Sequence, residues 1–179
     1  MSRYIAFLRA INVGGHTVKM EILRQHFESF GFSDVETFIA SGNVIFQTAE
    51  QDVNILESKI ASGLKTLLGY DIATFIRTGE ELTEIAAYQA FPPADLDSAT
   101  AYNITFLARP PDDMAKQRLM ALTSDIDYFV TYAREVYWLC RKKQSESTFS
   151  NAVLEKILGT KSTLRGVNTI KKLAARVAL

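Results

Sequence analysis

Cysteine and histidine are scarce in this sequence, which limits the metal and redox chemistry open to the chain. The 179 residues include one cysteine, Cys140, and two histidines. A single cysteine cannot form an internal disulfide, and its scarcity suits a protein kept in a reducing compartment. No Cys or His lies at metal-ligand spacing from another, which argues against a structural zinc site. We therefore expect no metal, no cofactor and a cytoplasmic location.

Long apolar runs are also missing. The apolar stretch at 4–8 is closed by Arg9 and is too short for the apolar region of a signal peptide. No stretch approaches the roughly 18 residues that a membrane helix needs. Apolar residues make up 47% of the chain and charged residues 22%, as in ordinary soluble proteins. The composition favours a soluble protein without a membrane partner.

The common motifs for phosphate, nucleic-acid and catalytic sites are absent as well. Gly14-Gly15 follows an expected strand but fits neither the G-x-G-x-x-G nor the G-x-x-x-x-G-K pattern. The aromatic residues of 128–138 lack the motif of RNA-recognition domains, and a shared core explains them better than a base-stacking surface. Cys140 follows an apolar run and is expected to be a buried thiol rather than a nucleophile. No catalytic signature remains.

Net charge is zero, but the two signs are unevenly distributed. Residues 141–179 contain nine Lys and Arg against two Asp and Glu, a formal charge of +7, and residues 1–140 carry the compensating −7. A basic segment of this kind can serve an anionic partner. It can equally dock on the acidic part of its own chain, and charge counts alone do not separate these interpretations.

Periodicity predicts alternating strands and helices in residues 1–78. Continuous apolar stretches indicate buried strands, and apolar residues at helical spacing, Leu67 among them, indicate helices. Gly31 and Gly69 are the expected helix stops. The expected elements are a strand at 3–10, a helix at 19–30, strands at 35–40 and 44–48, a helix from 53 to Gly69, and a strand at 71–78. This β-α-β-β-α-β order is that of the ferredoxin-like fold.

The pattern restarts after a connecting segment at 79–100. Thr78 and Glu81 match a capping box at the start of a connecting helix, and 92–100 has the composition of a linker. The elements expected next are a strand at 102–108, a helix at 110–122, strands at 128–133 and 136–140, a helix at 151–158, a weak strand signal at 163–165 and a closing helix from 169.

These elements predict an α+β protein. Two ferredoxin-like halves, at 1–78 and 101–179, form one compact duplicated unit with antiparallel sheets and a basic C-terminal helix. Residues 79–100 connect the two halves.

Topology brings two segments of the first half together. The first two strands run in the same direction and the third returns beside the first, so the end of strand one and the hairpin before strand three share a sheet edge. Polar side chains and glycines meet there, and glycines let a ligand approach backbone amides. The candidate ligand-binding residues at this edge are Arg9, Asn12, Gly14, Gly15, His16, Ser41 and Asn43.

Tight turns explain part of this edge without any ligand. A hairpin alone accounts for glycine and asparagine in the 41–43 turn, and Gly14-Gly15 suits a turn as well as a phosphate site. Arg9 is different, because a charge at the end of a buried strand needs a carboxylate, a carbonyl or a ligand anion.

Several motifs together resemble those of a bacterial family, domain of unknown function 1697 (DUF1697). They are the 12–15 loop, the 41–44 turn, Phe91-Pro92 and a tail motif with Thr163, Arg165, Asn168 and Thr169. The resemblance implies a fold of two ferredoxin-like halves and no established activity. The sequence departs from the family's usual pattern at Ala10, Ala40, Leu164, Gly166 and Val167. Arg165, Asn168 and Thr169 join the candidate ligand-binding residues.

Three kinds of function remain open. The first is a non-catalytic binder of an anionic ligand (a nucleotide, a phosphorylated metabolite or nucleic acid) that uses Arg9, the amides of 14–15 and the basic tail. The second is an enzyme acting on a small molecule at the edge formed by 12–16 and 41–43. The third is an interaction or assembly module whose motifs serve packing. We take the binder as the working hypothesis; the sequence specifies neither ligand, reaction nor oligomeric state.

Overall fold

Residues 1–39 and 42–178 are described by a computed structural model. Ala40 and Ser41 lie outside the described residues, so the candidate role of Ser41 has no structural account. The strands are β1 (Ser2–Leu8), β2 (Ser33–Thr37), β3 (Asn43–Thr48), β4 (Thr74–Thr78), β5 (Ala101–Leu107), β6 (Asp127–Tyr132), β7 (Glu135–Cys140) and β8 (Ser162–Gly166). The helices are α1 (Met20–Ser29), α2 (Val53–Leu68), α3 (Gly79–Ala87), α4 (Pro93–Asp97), α5 (Asp113–Met120), α6 (Asn151–Leu158) and α7 (Val167–Val177).

The protein is α+β, with two four-stranded antiparallel sheets of the same topology. Their strand orders are β2-β3-β1-β4 and β6-β7-β5-β8, as the ferredoxin-like prediction requires. The chain divides into two compact units, Met1–Ile85 with Lys172–Leu179, and Ala86–Lys171. Helix α7 therefore begins in the second unit and ends in the first. No helix in the described part of the chain is long and apolar enough to cross a bilayer.

The core of the first unit lies between its sheet and helices α1 and α2. Alternate residues of β1 point to this side, because successive side chains of a strand face opposite ways. The fully or nearly fully buried members of this core include Tyr4, Ala6 and Leu8 of β1, Leu23 and Phe27 of α1, and Leu56, Ile60 and Leu64 of α2. Leu67, expected in the same apolar stripe, is 49% exposed, so that prediction is wrong. Helix α2 ends at Gly69, whose φ of 83° is the left-handed conformation that glycine adopts most easily.

The core of the second unit is built in the same way and contains one polar anchor. Leu107 of β5 and Trp138 of β7 pack with Leu119 of α5 and Leu154 of α6. The buried carboxylate of Asp127 accepts hydrogen bonds from Trp138 Nε1 at 2.8 Å and from Ser147 Oγ at 2.7 Å. A buried charge is tolerated where hydrogen bonds of this kind replace water.

Element boundaries differ from the sequence predictions mainly at turns. Strand β1 stops at Leu8, because Ala10 turns the chain with a φ of 59°. The expected linker contains the short helix α4, and the weak signal at 163–165 is the five-residue strand β8. Helix α5 starts at Asp113 rather than at 110, because the carboxylate of Asp112 accepts a hydrogen bond from the Ala115 amide at 2.7 Å and caps it there.

One buried hydroxyl in the second unit is expected to lower the free energy of unfolding. Thr105 of β5 is 1% exposed, and its Oγ1 has no hydrogen-bond partner among the described residues. An unpaired buried hydroxyl carries a desolvation cost of about 1–3 kcal/mol. We expect Thr105→Val to raise the free energy of unfolding by about 1 kcal/mol, measured by urea denaturation.

The matched control is Thr163→Val on the neighbouring strand β8. The Thr163 hydroxyl accepts a hydrogen bond from the Arg165 guanidinium at 2.7 Å, so the same chemical change should lower stability. Equal effects at the two positions would contradict the assignment of Thr105 as unpaired.

Candidate functional site

The loop after β1 and the turn before β3 lie side by side, as the topology predicts. The Leu8 amide donates to the Gly42 carbonyl at 2.8 Å, and Phe7 pairs with Asn43 across the strands. Gly42 packs so closely that a β-carbon built on it would lie 3.0 Å from Ile11 Cγ2 and 3.1 Å from Leu8 Cβ. Its φ of 74° also favours glycine. Packing and backbone conformation thus require glycine here without any ligand.

Internal hydrogen bonds hold the 12–16 loop in one conformation. The Asn12 side-chain oxygen accepts a hydrogen bond from the Val18 amide at 2.8 Å. The His16 amide donates to the Val13 carbonyl at 3.1 Å and closes a tight turn. Gly14 and Gly15, between them, have φ values of 63° and 83°. Two consecutive positive φ angles are a sufficient reason for the Gly-Gly pair.

Tyr70 holds the same loop from outside. Its hydroxyl donates to the Ile11 carbonyl at 2.8 Å, and the His16 ring stacks on the Tyr70 ring with 4.1 Å between centroids. Partial burial raises the pKa of the Tyr70 hydroxyl. The polar groups expected to meet a ligand are largely engaged in shaping the loop.

Two further residues of this predicted edge are at least partly buried. Asn43 is fully buried, and its side-chain amide donates to the Phe38 carbonyl at 3.0 Å. The prediction of Asn43 as a side chain of the polar rim is therefore wrong, because the turn uses that amide internally. Arg9 is half-buried, and its backbone amide donates to the Ala73 carbonyl at 2.9 Å.

Metal and thiol chemistry find no structural support in residues 1–39 and 42–178. No group of three or more His, Cys, Asp or Glu side chains in these ranges could hold a metal ion. Cys140 is fully buried, and its thiol donates to the Lys142 carbonyl at 3.1 Å. Burial raises the pKa of this thiol, which disfavours the reactive thiolate.

The basic tail is partly paired with acidic residues earlier in the chain. Arg176 Nε lies 2.9 Å from a Glu36 carboxylate oxygen, and Arg141 Nη2 lies 2.8 Å from Asp95. The side chains of Lys171 and Lys172 make no hydrogen bond or ion pair with a described residue. The tail thus contains both kinds of cation: some pair with acidic residues of the same chain, and others, Lys171 and Lys172 among them, have no such partner among the described residues.

Arg165 belongs to the structural group of tail cations. It is 8% exposed, and its guanidinium donates to Thr163 Oγ1 at 2.7 Å and to the Leu164 carbonyl at 2.9 Å. Burial lowers its pKa to about 10. Replacing Arg165 would therefore disturb β8 itself, which makes this residue a poor probe of ligand binding.

A cavity of about 490 Å³ opens at the start of α7; we call it the α7 cleft. Its lining residues are Leu96, Ala99, Thr100, Ala101, Tyr102, Asn103, Gly166, Val167, Asn168, Thr169 and Lys171. Asn168 and Thr169, two residues predicted as ligand-binding candidates, are thus on its wall. Their side chains make no hydrogen bond with any residue in the described ranges.

The start of α7 lacks a side-chain cap, whereas the equivalent helix of the first unit has one. Thr78 ends β4 and precedes α3; its Oγ1 accepts a hydrogen bond from the Glu81 amide at 3.1 Å, and Glu81 Oε2 accepts one from the Thr78 amide at 2.8 Å. This confirms the predicted capping box. Gly166 ends β8 and precedes α7 in the same way, but it has no side chain. The first turn of α7 has no acidic residue, and Val167, Asn168 and Thr169 of this turn line the cleft.

Asn103 is the residue of the α7 cleft that sequence reasoning missed. It is 7% exposed, and its side-chain amide donates to Gln144 Oε1 at 3.5 Å. Its carbonyl oxygen accepts no hydrogen bond from the described residues and lies 3.9 Å from where a β-carbon on Gly166 would be. An asparagine within the mainly apolar strand β5 was the available signal, but only the pairing of Asn103 with Gly166 brings it to this cleft.

Two other cavities have different character. One of about 500 Å³ lies at the start of α3, where Thr78 and Glu80 line it together with Arg3. The capping box already occupies that helix start. Another, of about 360 Å³, follows β5 and includes Arg109 and Pro110. The α7 cleft is the one of the three that combines an uncapped helix start with an unpaired lysine.

The burial of Cys140 predicts a slow thiol reaction. In the native protein we expect DTNB to modify Cys140 at least about 100-fold more slowly than in 6 M guanidinium chloride, because the thiol must first be exposed by local opening. Absorbance at 412 nm measures the rate, and the denatured sample should release one equivalent. Rapid release from the native protein would contradict the buried position.

Comparison with known proteins identifies the fold and family but not the activity. The conserved bacterial protein SP0830 from Streptococcus pneumoniae has a similar structure, with a TM-score of 0.78 and 20% sequence identity, over 100% of this chain and 99% of that one. At this identity the likeness concerns the fold. No curated protein matches the chain significantly. The family model for proteins of unknown function designated DUF1697 matches residues 1–137. The chain therefore belongs to the DUF1697 family.

Proposed function

We propose that this protein is a non-catalytic binder of an anionic ligand, and that the ligand's anionic group binds at the α7 cleft. The observation that carries the proposal is the uncapped start of α7, which opens into this cleft beside the unpaired Lys171. A second observation supports the proposal: Asn103 is 7% exposed and lines the cleft, and its side-chain oxygen has no donor among the described residues, so a ligand can supply one.

The local electrostatics favour an anion. The first amides of a helix have no intrahelical acceptor, and the helix dipole places about half a positive charge at that end. Helix starts of this kind bind phosphate and carboxylate groups. The ammonium group of Lys171 adds a full positive charge on the wall, and no Asp or Glu is among the lining residues.

The volume of the cleft is that of a small-molecule site. A concave volume of about 490 Å³ falls within the range of ordinary ligand pockets. Nucleic acid, an alternative anionic ligand, would bind with an affinity that falls steeply as the salt concentration rises. We place this binding in the cytoplasm, because a single buried thiol suits a reducing compartment.

A pair of neighbouring lysines tests the proposal. We expect a panel of nucleotides and sugar phosphates to contain a ligand that raises the melting temperature by about 5–10 °C at 100 times its Kd. Lys171→Ala should lose most of this shift, because Lys171 lines the cleft. Lys172→Ala removes the same charge one position along and should keep it. No response to any phosphate, or equal losses in the two variants, would contradict the proposal.

A second test fills the helix start with a side chain. Gly166 has room for a β-carbon, so Gly166→Ser should be accommodated and should place a hydroxyl where Thr78 has one in α3. We expect the stability without ligand to stay the same or rise by a few tenths of a kcal/mol, while the ligand-induced shift in melting temperature falls.

Thr78→Ala is the control for this substitution. It removes the cap of α3, at a cost of about 1 kcal/mol, and should leave the ligand-induced shift unchanged. A Gly166→Ser protein that still responds fully to the ligand would exclude the α7 amides from binding.

A further inference from the structure

We infer that the ligand of the α7 cleft is a phosphosugar, free or within a nucleotide, whose hydroxyl group donates a hydrogen bond to the Asn103 carbonyl. This inference rests on the proposed function and specifies which chemical group of the ligand lies next to its anionic group. The Asn103 side-chain oxygen is a hydrogen-bond acceptor, whereas the α7 amides and the Lys171 ammonium group in the same cleft attract negative charge.

The side-chain amide of Asn103 is oriented by its neighbours. Its nitrogen donates to Gln144 Oε1, which leaves the carbonyl oxygen on the side of Gly166. Asn103 and Gly166 are register partners on β5 and β8, so this oxygen lies beside the residue that precedes α7. The acceptor and the first amides of α7 therefore adjoin one another in the same cleft.

A bare anion satisfies only one of these two features. Inorganic phosphate or pyrophosphate presents mainly acceptor oxygens, which suit the α7 amides and Lys171 but repel the carbonyl oxygen of Asn103. A sugar hydroxyl near the phosphate supplies the missing donor. A buried acceptor that remains unpaired in the complex penalises the ligand that lacks this donor.

Other lining residues of the cleft suit a carbon skeleton. Leu96, Ala99 and Ala101 are apolar members of the lining, and Leu96 is 37% exposed. Tyr102 is also among the lining residues. A molecule with a phosphate, neighbouring hydroxyls and an apolar ring face matches these three surfaces, and a phosphorylated sugar has all three.

The test compares two phosphates that differ in ring hydroxyls. Isothermal titration calorimetry on the full-length protein would use ribose 5-phosphate and tetrahydrofurfuryl phosphate, which has a phosphate-bearing ring without hydroxyls. We expect ribose 5-phosphate to bind at least about 10-fold more tightly. In Asn103→Leu the two affinities should become equal within about twofold. The comparison in the unmodified protein stands even if this variant folds poorly.

The outcomes separate this inference from the proposed function. Equal affinities in the unmodified protein, both weakened by Lys171→Ala, would overturn the phosphosugar inference and leave the anion site in place. Absence of Lys171-dependent binding by any phosphate would overturn both. With the hydroxyl effect present, AMP that binds more tightly than ribose 5-phosphate identifies a nucleotide, and equal binding identifies the sugar phosphate alone.

Discussion

Antiparallel pairing between the first and last strand of each unit determines where the functional features of this protein can lie. β4 pairs with β1 and β8 with β5, so the end of each last strand lies beside the start of the first. The ladder satisfies the backbone hydrogen bonds of these buried strands and thereby fixes the register. The helix that follows each last strand must then begin at this edge, and the α7 cleft is a direct result.

Two helix starts in equivalent positions have different chemistry. In the first unit, the Thr78 hydroxyl accepts a hydrogen bond from the Glu81 amide and the Glu81 carboxylate accepts one from the Thr78 amide, so the start of α3 has a side-chain cap. In the second unit Gly166 leaves the amides of α7 to water or to a ligand. The two units thus have one capped and one uncapped version of the same helix start, and Lys171 lines the cleft at the uncapped one.

The fold could be predicted from the sequence more completely than the candidate site could. Apolar periodicity is a local property of the chain, so the β-α-β-β-α-β order and the contact between the loop after β1 and Gly42 followed from it. Burial and hydrogen-bond partners depend on register and packing, which explains why Asn43 was wrongly placed on a polar rim. Asn103 was missed for the same reason, because its importance comes from a neighbour, Gly166, that lies far away in sequence.

The position of the single tryptophan determines what optical experiments on this protein can report. Trp138 is fully buried in the second unit, with its indole nitrogen hydrogen-bonded to Asp127. Tryptophan emission therefore reports the core of the second unit, whereas far-ultraviolet circular dichroism averages over both. Where the two signals lose their native values at different denaturant concentrations, the units unfold separately. The emission of Trp138 thus distinguishes the unfolding of the second unit from that of the whole chain.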